Sequence, residues 1–255
     1  MSEIQKLKSF IDSLQYHERS GPSNGSKTGR FPFVTISRQT GAGGQVLSAE
    51  LLKQINELSR EALFTGWQLC NQELCHSLSQ DPGLKVAIES LLRKEYCSHT
   101  EDMLGQLIFG NPSQDVVVKK MFQVMRTFAL HGKVIFVGRG SVFLTRDLPW
   151  GIHVRLVASL DSRIKRVMSS TGVTEKKARE TIAEKDEAKA ELVKTFFNKD
   201  IRDPLLYDIV WNTDRVPLHE IARILIERIR MKGVEAHEFL ISQNGSGQQR
   251  EQGGV

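Results

Sequence analysis

The chain has 255 residues, of which 40% are hydrophobic and 25% are charged, proportions typical of a soluble globular protein. No apolar run reaches the roughly 18 residues of a membrane-spanning helix, so the sequence predicts no membrane span. The formal net charge of +5 suits an anionic partner but is too small to indicate nucleic-acid binding.

The cysteines and the N-terminal residues both bear on the cellular compartment. Cys70, Cys75 and Cys97 are odd in number and lack the spacing of metal ligands. We interpret them as buried or free thiols, which fits a reducing compartment. The N-terminus is polar and lacks the apolar stretch of a signal peptide. We therefore expect a cytoplasmic protein.

Residues 1–30 are predicted to be an appendage to the main domain. Apolar side chains recur at helical spacing over residues 3–16, which indicates an amphipathic helix. Residues 18–30 form a polar linker rich in glycine, serine and proline. Two roles for the helix stay open: docking on the main domain, or docking on a second subunit of a homo-oligomer.

Residues 33–48, FVTISRQTGAGGQVLS, combine a strand, a glycine-rich turn and the start of a helix. The apolar run ends at Ser37, three glycines follow, and apolar residues then recur at helical spacing. Such a turn lets the backbone approach a bound group, and the helix N-terminus behind it offers unpaired N–H groups. Together these features suit a phosphate, and the alternative is a plain tight turn.

The glycine-rich turn departs from both common nucleotide-binding motifs. The standard phosphate loop is GxxxxGK[ST], whose lysine contacts phosphates and whose hydroxyl holds magnesium. Aligning its last glycine with Gly43 places Gly44 at the lysine position, with Gln45 just after it. The dinucleotide pattern GxGxxG also fails, because Val46 stands at the third glycine.

The rest of the hydrophobic pattern alternates helices with short apolar strands, which predicts a three-layer α/β fold with a mostly parallel sheet. Strands are predicted at 64–69, 134–137, 152–157 and 207–212, and helices at 46–58, 72–78, 114–130, 162–170, 174–197 and 221–231. Residues 84–110 mix helical and polar segments and are predicted to form a small lobe. The main domain is expected to span residues 31–235, and residues 236–255 are expected to be a disordered tail, because the sequence from 243 on is rich in glycine, glutamine and serine.

Arg139 stands between two glycines directly after the buried run VIFV. Open α/β sheets bind their ligands at the carboxyl ends of their strands. We interpret Arg139 as a ligand-binding residue, and the alternative is a surface arginine in a turn.

Two charged helices follow the strand at 152–157. Asp161 is predicted to cap the first, which carries Arg163 and Arg166 three residues apart and so on one face. The second, at 174–197, is charged along its whole length, and a charged helix is commonly just a solvated face. A segment with so few apolar residues has little to bury, so we expect it to be mobile without a ligand.

Four segments resemble the cytidylate kinase-like family of P-loop proteins in order and spacing: VTISRQTGAGG, VIFVGRGSVFLTRDLP, HVRLVASLDSRIKRVM and DPLLYDIVWNT. The resemblance covers roughly residues 33–230 and is specific, because four separate motifs agree. It implies a P-loop kinase-like fold with a five-stranded parallel sheet and helices on both faces. It also implies an inserted monophosphate-binding lobe at about 72–112 and a helical lid at about 161–200.

The resemblance implies roles for individual residues as well. Arg139 matches an arginine that contacts the acceptor monophosphate, and Arg163 and Arg166 resemble lid arginines near the transferred phosphoryl group. Asp186 and Lys189 match an Asp-x-x-Arg pair on the acceptor side. The loop itself lacks the usual lysine in this family too, and its implied phosphate-binding residues are Ser37, Arg38, Gly41, Ala42, Gly43, Gly44 and Gln45.

These roles imply a nucleoside monophosphate kinase-like phosphotransferase that uses ATP with Mg²⁺ to phosphorylate cytidylate or a related monophosphate. The alternative is a non-catalytic nucleotide- or phosphate-binding regulatory protein with a degenerate loop. No hydroxyl stands at the usual magnesium position, and the sequence does not choose among Ser37, Thr40 and Ser48 as substitutes.

Overall fold

The computed structural model of the protein describes residues 31–70 and 112–248. Its strands are β1 Phe33–Arg38, β2 Gln68–Cys70, β3 Val134–Val137, β4 Gly151–Val157 and β5 Ile209–Asn212. Its helices are α1 Gly44–Glu57, α2 Pro112–His131, α3 Ser141–Thr145, α4 Leu160–Thr171, α5 Glu175–Phe197 and α6 Leu218–Gln248, and a 3₁₀ turn spans Pro204–Leu206.

The five strands form one parallel sheet in the order β2-β3-β1-β4-β5. β1 lies at the centre, where Thr35 pairs with Phe136 of β3 on one side and with His153 of β4 on the other. The carboxyl ends of β1 and β3 therefore lie side by side. This topology confirms the predicted five-stranded parallel α/β fold and brings the glycine-rich turn next to Arg139.

Helices cover both faces of the sheet, as predicted. Val34 and Ile36 of β1 point to one face, where they belong to a core cluster that includes side chains of α1 and α6. Phe33 and Phe136 lie on the other face, in a cluster with side chains of α2. Burial on both faces explains why β1 and β3 are nearly continuous apolar runs.

Several element boundaries differ from the sequence prediction. β2 begins at Gln68, later than predicted, and the short helix α3 after the Gly-Arg-Gly turn was not predicted. The N-cap of α4 is Ser159, whose side chain accepts a hydrogen bond from the Ser162 N–H, so the prediction that Asp161 caps this helix is wrong. Thr174 caps α5 in the same way.

The last helix is longer than the apolar pattern indicates. It was predicted to end at Met231, but α6 continues to Gln248, into the segment that was expected to be a disordered tail. The extension has apolar contacts of its own, because Ala236 is buried and the Phe239 ring packs edge-on against Trp150 at 5.7 Å. In the described part of the chain, no helix combines the length and apolar character needed to cross a membrane.

Some predicted features lie outside the described residues. These are the N-terminal helix and linker at 1–30, most of the inserted lobe at 72–112, and Cys75 and Cys97. They stay predictions.

Candidate functional site

The turn between β1 and α1 has the backbone geometry of an anion-binding loop. Gly41 and Gly43 have φ values of 80° and 92°, in the left-handed region that glycine adopts without strain. Gly43 is also the N-cap of α1 and supplies no capping side chain. The first N–H groups of a helix have no intrahelical acceptor, so those of α1 remain available to a ligand.

Arg38 crosses this loop and reaches the end of β3. An ideal Cβ on Gly44 would stand 2.8 Å from Arg38 Cγ, and one on Gly138 would stand 1.8 Å from Arg38 Nη1. Both glycines therefore make room for the Arg38 side chain. Burial lowers the pKa of Arg38, and the nearby charge of Arg139 lowers it further, while the negative charge of Asp186 opposes both without cancelling them. Two guanidinium groups thus lie close enough to repel each other.

Arg139 sits in a turn whose three residues all have positive φ. Its own φ is 58°, between values of 75° at Gly138 and 68° at Gly140. A left-handed conformation costs a residue with a side chain about 1–2 kcal/mol, and such strain is often found at functional sites. Among the described residues, the Arg139 side chain has no hydrogen-bond or ion-pair partner. It is therefore available to a ligand, as the sequence predicts.

Asp186 joins the loop to both charged helices. Its Oδ1 accepts a hydrogen bond from the Thr40 N–H at 2.7 Å, and its Oδ2 pairs with Arg163 Nη1 at 2.6 Å. Lys189 Nζ lies 3.0 Å from Asp186 Oδ1 and also donates to the Thr40 hydroxyl. Burial opposes ionisation of Asp186, but the hydrogen bonds from Thr40 and Lys189 outweigh it and lower its pKa. Arg163 and the predicted pair of Asp186 and Lys189, which lie on two different helices, therefore meet at the loop.

Arg166 is held by hydrogen bonds between the glycine-rich loop, where its Nη1 donates to the Gly41 carbonyl at 3.4 Å, and the residues after β5. Its Nη1 and Nη2 donate to the Thr213 hydroxyl and carbonyl at 2.8 and 2.7 Å, and Asp214 lies 3.8 Å away. The Thr213 hydroxyl in turn donates to the Ala42 carbonyl at 3.1 Å. Arg166 thus fastens the loop to the end of β5, and most of its donors are occupied.

Ser37 contacts a buried arginine that sequence reasoning missed. Arg155 of β4 donates to Ser37 Oγ at 2.9 Å, and the Tyr207 hydroxyl lies 3.2 Å from the same oxygen. The only sequence signal was a cation within the otherwise apolar run GIHVRLV. Arg155 faces a cleft of about 230 Å³, which is also lined by Arg38, Gln39, Ala183, Asp186, Glu187, Lys189, Ala190, Ile201 and Arg202.

A family model for the cytidylate kinase-like family matches residues 33–215, well over half of the sequence. The chain belongs to the cytidylate kinase-like family. This confirms the resemblance that the four sequence motifs indicate. With the parallel sheet and the glycine-rich loop, it establishes a nucleotide kinase-like fold for the protein.

Three proteins that resemble this family member have between 14% and 26% sequence identity to it. A functionally uncharacterised protein from Eubacterium ventriosum superposes with a TM-score of 0.62 at 20% identity, over 78% of this chain and 98% of that one, a likeness of fold alone. A shikimate kinase from Acinetobacter baumannii gives 0.42 at 14% identity, over 79% and 94%. A uronate isomerase from Corynebacterium glutamicum matches 98 residues, 38% of this chain, at 26% identity, and the match spans only 19% of that protein's length.

Magnesium fits the side chains of this cytidylate kinase-like protein poorly. Ser48 is fully buried and donates to the Gln45 carbonyl at 2.9 Å, while Ser37 and Thr40 accept hydrogen bonds from Arg155 and Lys189. Two cations and a buried helix turn are unsuitable neighbours for Mg²⁺. The described residues contain no cluster of three or more His, Cys, Asp or Glu side chains that could hold a metal ion.

The lid region has a small apolar core. Its buried members are Ile164, Val167, Ala178 and Ile182, from both α4 and α5. The expectation that this segment has little apolar surface to bury is therefore wrong. Its sequence hides the core because these four residues are spread over two helices whose other positions are mostly charged or polar.

Proposed function

We propose that the protein is an ATP-dependent phosphotransferase that phosphorylates cytidylate or a related nucleoside monophosphate. The observation that carries the proposal is the position of Arg38, between the glycine-rich loop and Arg139. Two like charges held close together are costly unless an anion binds beside them, because it relieves their repulsion. A phosphoryl group passing from donor to acceptor is such an anion.

Several features of the site support a role in phosphoryl transfer. The reaction needs little covalent chemistry from the protein, and depends on positioning of the two substrates and on neutralisation of phosphate charge. The backbone N–H groups of Gly43, Gly44 and Gln45 would hold the donor phosphates. Arg38 and Arg139 would supply the positive charge that the missing lysine does not. Mg²⁺ would be held by the nucleotide phosphates themselves, and there it would neutralise further phosphate charge.

Asp186 supports a lid that moves. Its carboxylate accepts the Thr40 N–H in this structure, so a donor phosphate could take that hydrogen bond only after Asp186 leaves it. Displacement would free Arg163 and Lys189, which now pair with Asp186 and would then face the bound phosphates. In this proposal a bound polyphosphate replaces the carboxylate as the partner of the two cations.

The second candidate is a nucleotide- or phosphate-binding regulatory protein without transferase activity. Two observations favour it: the carboxylate of Asp186 on the loop, and the lack of a suitable magnesium ligand at the position of Gln45. Both candidates require nucleotide binding at the loop, and they differ only in turnover.

A phosphotransfer assay separates them. The purified protein would be incubated with radiolabelled ATP, Mg²⁺ and CMP, UMP, dCMP, AMP or GMP, and diphosphate formation would be measured. Arg38→Gln is the test variant, and Arg179→Gln is the matched control, because Arg179 is exposed on α5 and pairs with Glu175. Transfer that falls in the first variant alone supports the kinase. ATP binding without transfer to any acceptor supports the regulatory protein, and no nucleotide binding rejects both.

A further inference from the structure

Arg155 is a buried cation, and within residues 31–70 and 112–248 its hydrogen bonds go only to neutral groups. Its side chain lies on β4, and only 5% of the residue is exposed. Nη1 donates to Ser37 Oγ at 2.9 Å and lies 3.4 Å from the Tyr207 hydroxyl, and the Tyr207 ring centre is 5.5 Å from the guanidinium carbon. Tyr207 donates its own proton to the Ile201 carbonyl at 2.8 Å. This hydrogen-bond chain therefore contains no negative charge.

No described carboxylate forms an ion pair with Arg155. Asp200 is near enough for the charge of Arg155 to contribute to lowering its pKa, but the first cause of that shift is the hydrogen bond from the Arg202 N–H. Asp200 is solvent-exposed and pairs with Arg202 Nε at 3.3 Å. Buried charges in proteins are normally paired. A buried arginine without a carboxylate partner in the described part of the chain is therefore suited to an external anion.

The cleft beside Arg155 is positively charged. Four cationic side chains line its volume of about 230 Å³, namely Arg38, Arg155, Lys189 and Arg202, against two acidic ones, Asp186 and Glu187. Asp186 is already held by Thr40, Arg163 and Lys189, and Glu187 is exposed. The inner part of the cleft thus presents guanidinium groups without a free carboxylate among its described lining residues.

We propose that this cleft binds the oxyanion group of the acceptor substrate, a phosphate or a carboxylate, with Arg155 as its innermost ligand. The hydrogen bonds of Arg155 within the described residues use Nη1, which leaves Nη2 for the anion. A guanidinium that is fixed by Ser37 and Tyr207 presents this donor without losing side-chain freedom on binding. Arg202, which is exposed, also lines the cleft.

The position of the cleft agrees with an acceptor site and rests on the proposed function. Arg38 lines the cleft and also crosses the glycine-rich loop, so a group bound beside Arg155 lies next to the donor phosphates. In-line transfer needs this adjacency of acceptor and donor. The proposal adds Arg155 and Arg202 to the acceptor-side residues Arg139, Asp186 and Lys189.

Equilibrium binding at low ionic strength tests the proposal. Inorganic phosphate, CMP and succinate would each be titrated calorimetrically into the wild type and three variants, with ATP titrated separately. Arg155→Met removes the buried charge, Arg202→Gln removes the outer one, and Arg179→Gln is the matched surface control. Arg155→Lys is a second variant that keeps a charge at this buried position in case Arg155→Met does not fold, and thermal melting reports folding of each.

We expect Arg155→Met to weaken the binding of at least one of the three anions by about tenfold or more. Arg155→Lys should weaken that binding less, because lysine keeps the charge but loses the two-pronged hydrogen-bond geometry of the guanidinium group. Arg202→Gln should weaken the binding of the same anion, whereas Arg179→Gln should leave it unchanged. If the affinity for phosphate or CMP falls, the cleft binds a phosphate group; if the affinity for succinate falls, it binds a carboxylate. Binding of all three anions that is unchanged in Arg155→Met and Arg155→Lys, or absent in the wild type, overturns the proposal.

The two proposals fail in different ways. Anion binding that depends on Arg155, without phosphoryl transfer to any acceptor, would keep the cleft and reject the kinase. Transfer at the wild-type rate and acceptor KM in a folded Arg155→Met protein would keep the kinase and reject the cleft. ATP affinity serves as the internal control, since Arg155 is not among the residues that are proposed to contact ATP.

Discussion

Arg38 occupies the space that a side chain on Gly44 would need, since its Cγ lies 2.8 Å from an ideal Cβ at that position. A standard phosphate loop carries its lysine at this place in the helix. A lysine at 44 and the observed position of Arg38 therefore exclude each other. In this protein the cation of the loop comes from the end of β1 instead of the start of α1.

The first prediction concerns Arg38 itself. Arg38→Ala should weaken ATP binding by about 1.5–3 kcal/mol, the usual contribution of a charge-assisted hydrogen bond, or roughly tenfold to 150-fold. Calorimetric titration measures the effect, with Arg179→Ala as a control of equal charge change. ATP affinity that is the same in both variants would show that Arg38 does not contact the nucleotide.

The second prediction moves the positive charge from Arg38 to position 44, at the start of α1. Gly44→Lys alone should lower the melting temperature, because the new Cβ would meet the Arg38 stem. In an Arg38→Ala background the same substitution should be tolerated and should restore part of the lost ATP affinity. A double-mutant cycle measures the coupling, which for residues in contact is typically about 0.5–3 kcal/mol. Additive effects would mean that the two positions do not exchange roles.

The sequence predicted the elements of this fold well because its parallel strands are apolar runs and its motifs are local. Val134–Val137 was predicted to the residue, and the strand–glycine–helix order of the loop is correct. The relation between Arg38 and Gly44 could not be predicted, since the turn between them decides where the arginine lies. The sequence of this turn also matched neither the standard phosphate loop nor the dinucleotide-binding pattern.

The cleft beside Arg155 could not be predicted from the sequence for a different reason. Arg155 interrupts an apolar strand, and its partners Ser37 and Tyr207 lie 118 and 52 residues away in sequence. The register of β1 beside β4 pairs Ser37 with Arg155, and Tyr207 reaches them from the end of the 3₁₀ turn before β5. Contacts of this kind depend on tertiary structure and leave no local periodicity.

The third prediction uses Gln45, an exposed residue in the first turn of α1. Gln45→Lys should strengthen ATP binding and Gln45→Glu should weaken it, each by about 0.5–1 kcal/mol, because the side chain stands beside the proposed phosphates. The helix dipole predicts the opposite order for stability, with glutamate favoured at the N-terminus. Affinity and melting temperature should therefore change in opposite directions, and parallel changes would contradict a phosphate at this loop.

The fourth prediction concerns pH. Burial lowers the pKa of His153, and the charge of Asp208 only partly opposes this. The unfolded chain therefore binds a proton at this histidine near pH 6.5, whereas the folded chain does not. The contribution of His153 to the free energy of unfolding is present above that pH and falls as the pH decreases. Between pH 7.5 and 5.5 the free energy of unfolding should fall, by at most about 1.4 kcal/mol per pH unit for this group.

Denaturant titrations across that range test the assignment to His153. His153→Asn should flatten the pH dependence, although it will also lower stability through loss of the 2.8 Å contact with the Thr35 hydroxyl. His219→Asn is the control, because His219 is exposed. An unchanged slope in His153→Asn would assign the pH dependence to other groups.

The last prediction concerns the contact between Asp186 and the loop. The Asp186 carboxylate accepts a hydrogen bond from the Thr40 N–H and pairs with Arg163 and Lys189, so it competes with any phosphate that approaches the loop. Asp186→Asn should lower the protection of the Thr40 amide from hydrogen exchange in the free protein. It should also raise the affinity for ATP alone, by about 1 kcal/mol or fivefold, because a neutral amide competes less well for the N–H and for Arg163.

Adding a bisubstrate nucleotide should raise protection across residues 161–200 in the wild type, and less in an Arg163→Ala, Arg166→Ala double variant. The rise should concentrate near Arg163 and Asp186, because the apolar core of Ile164 and Ile182 already stabilises the rest of the helix pair. Glu180→Gln is the matched control, since it removes one exposed negative charge from α5 away from the loop. If Asp186→Asn and Glu180→Gln raise ATP affinity equally, the effect is general electrostatics and the carboxylate does not compete for the loop.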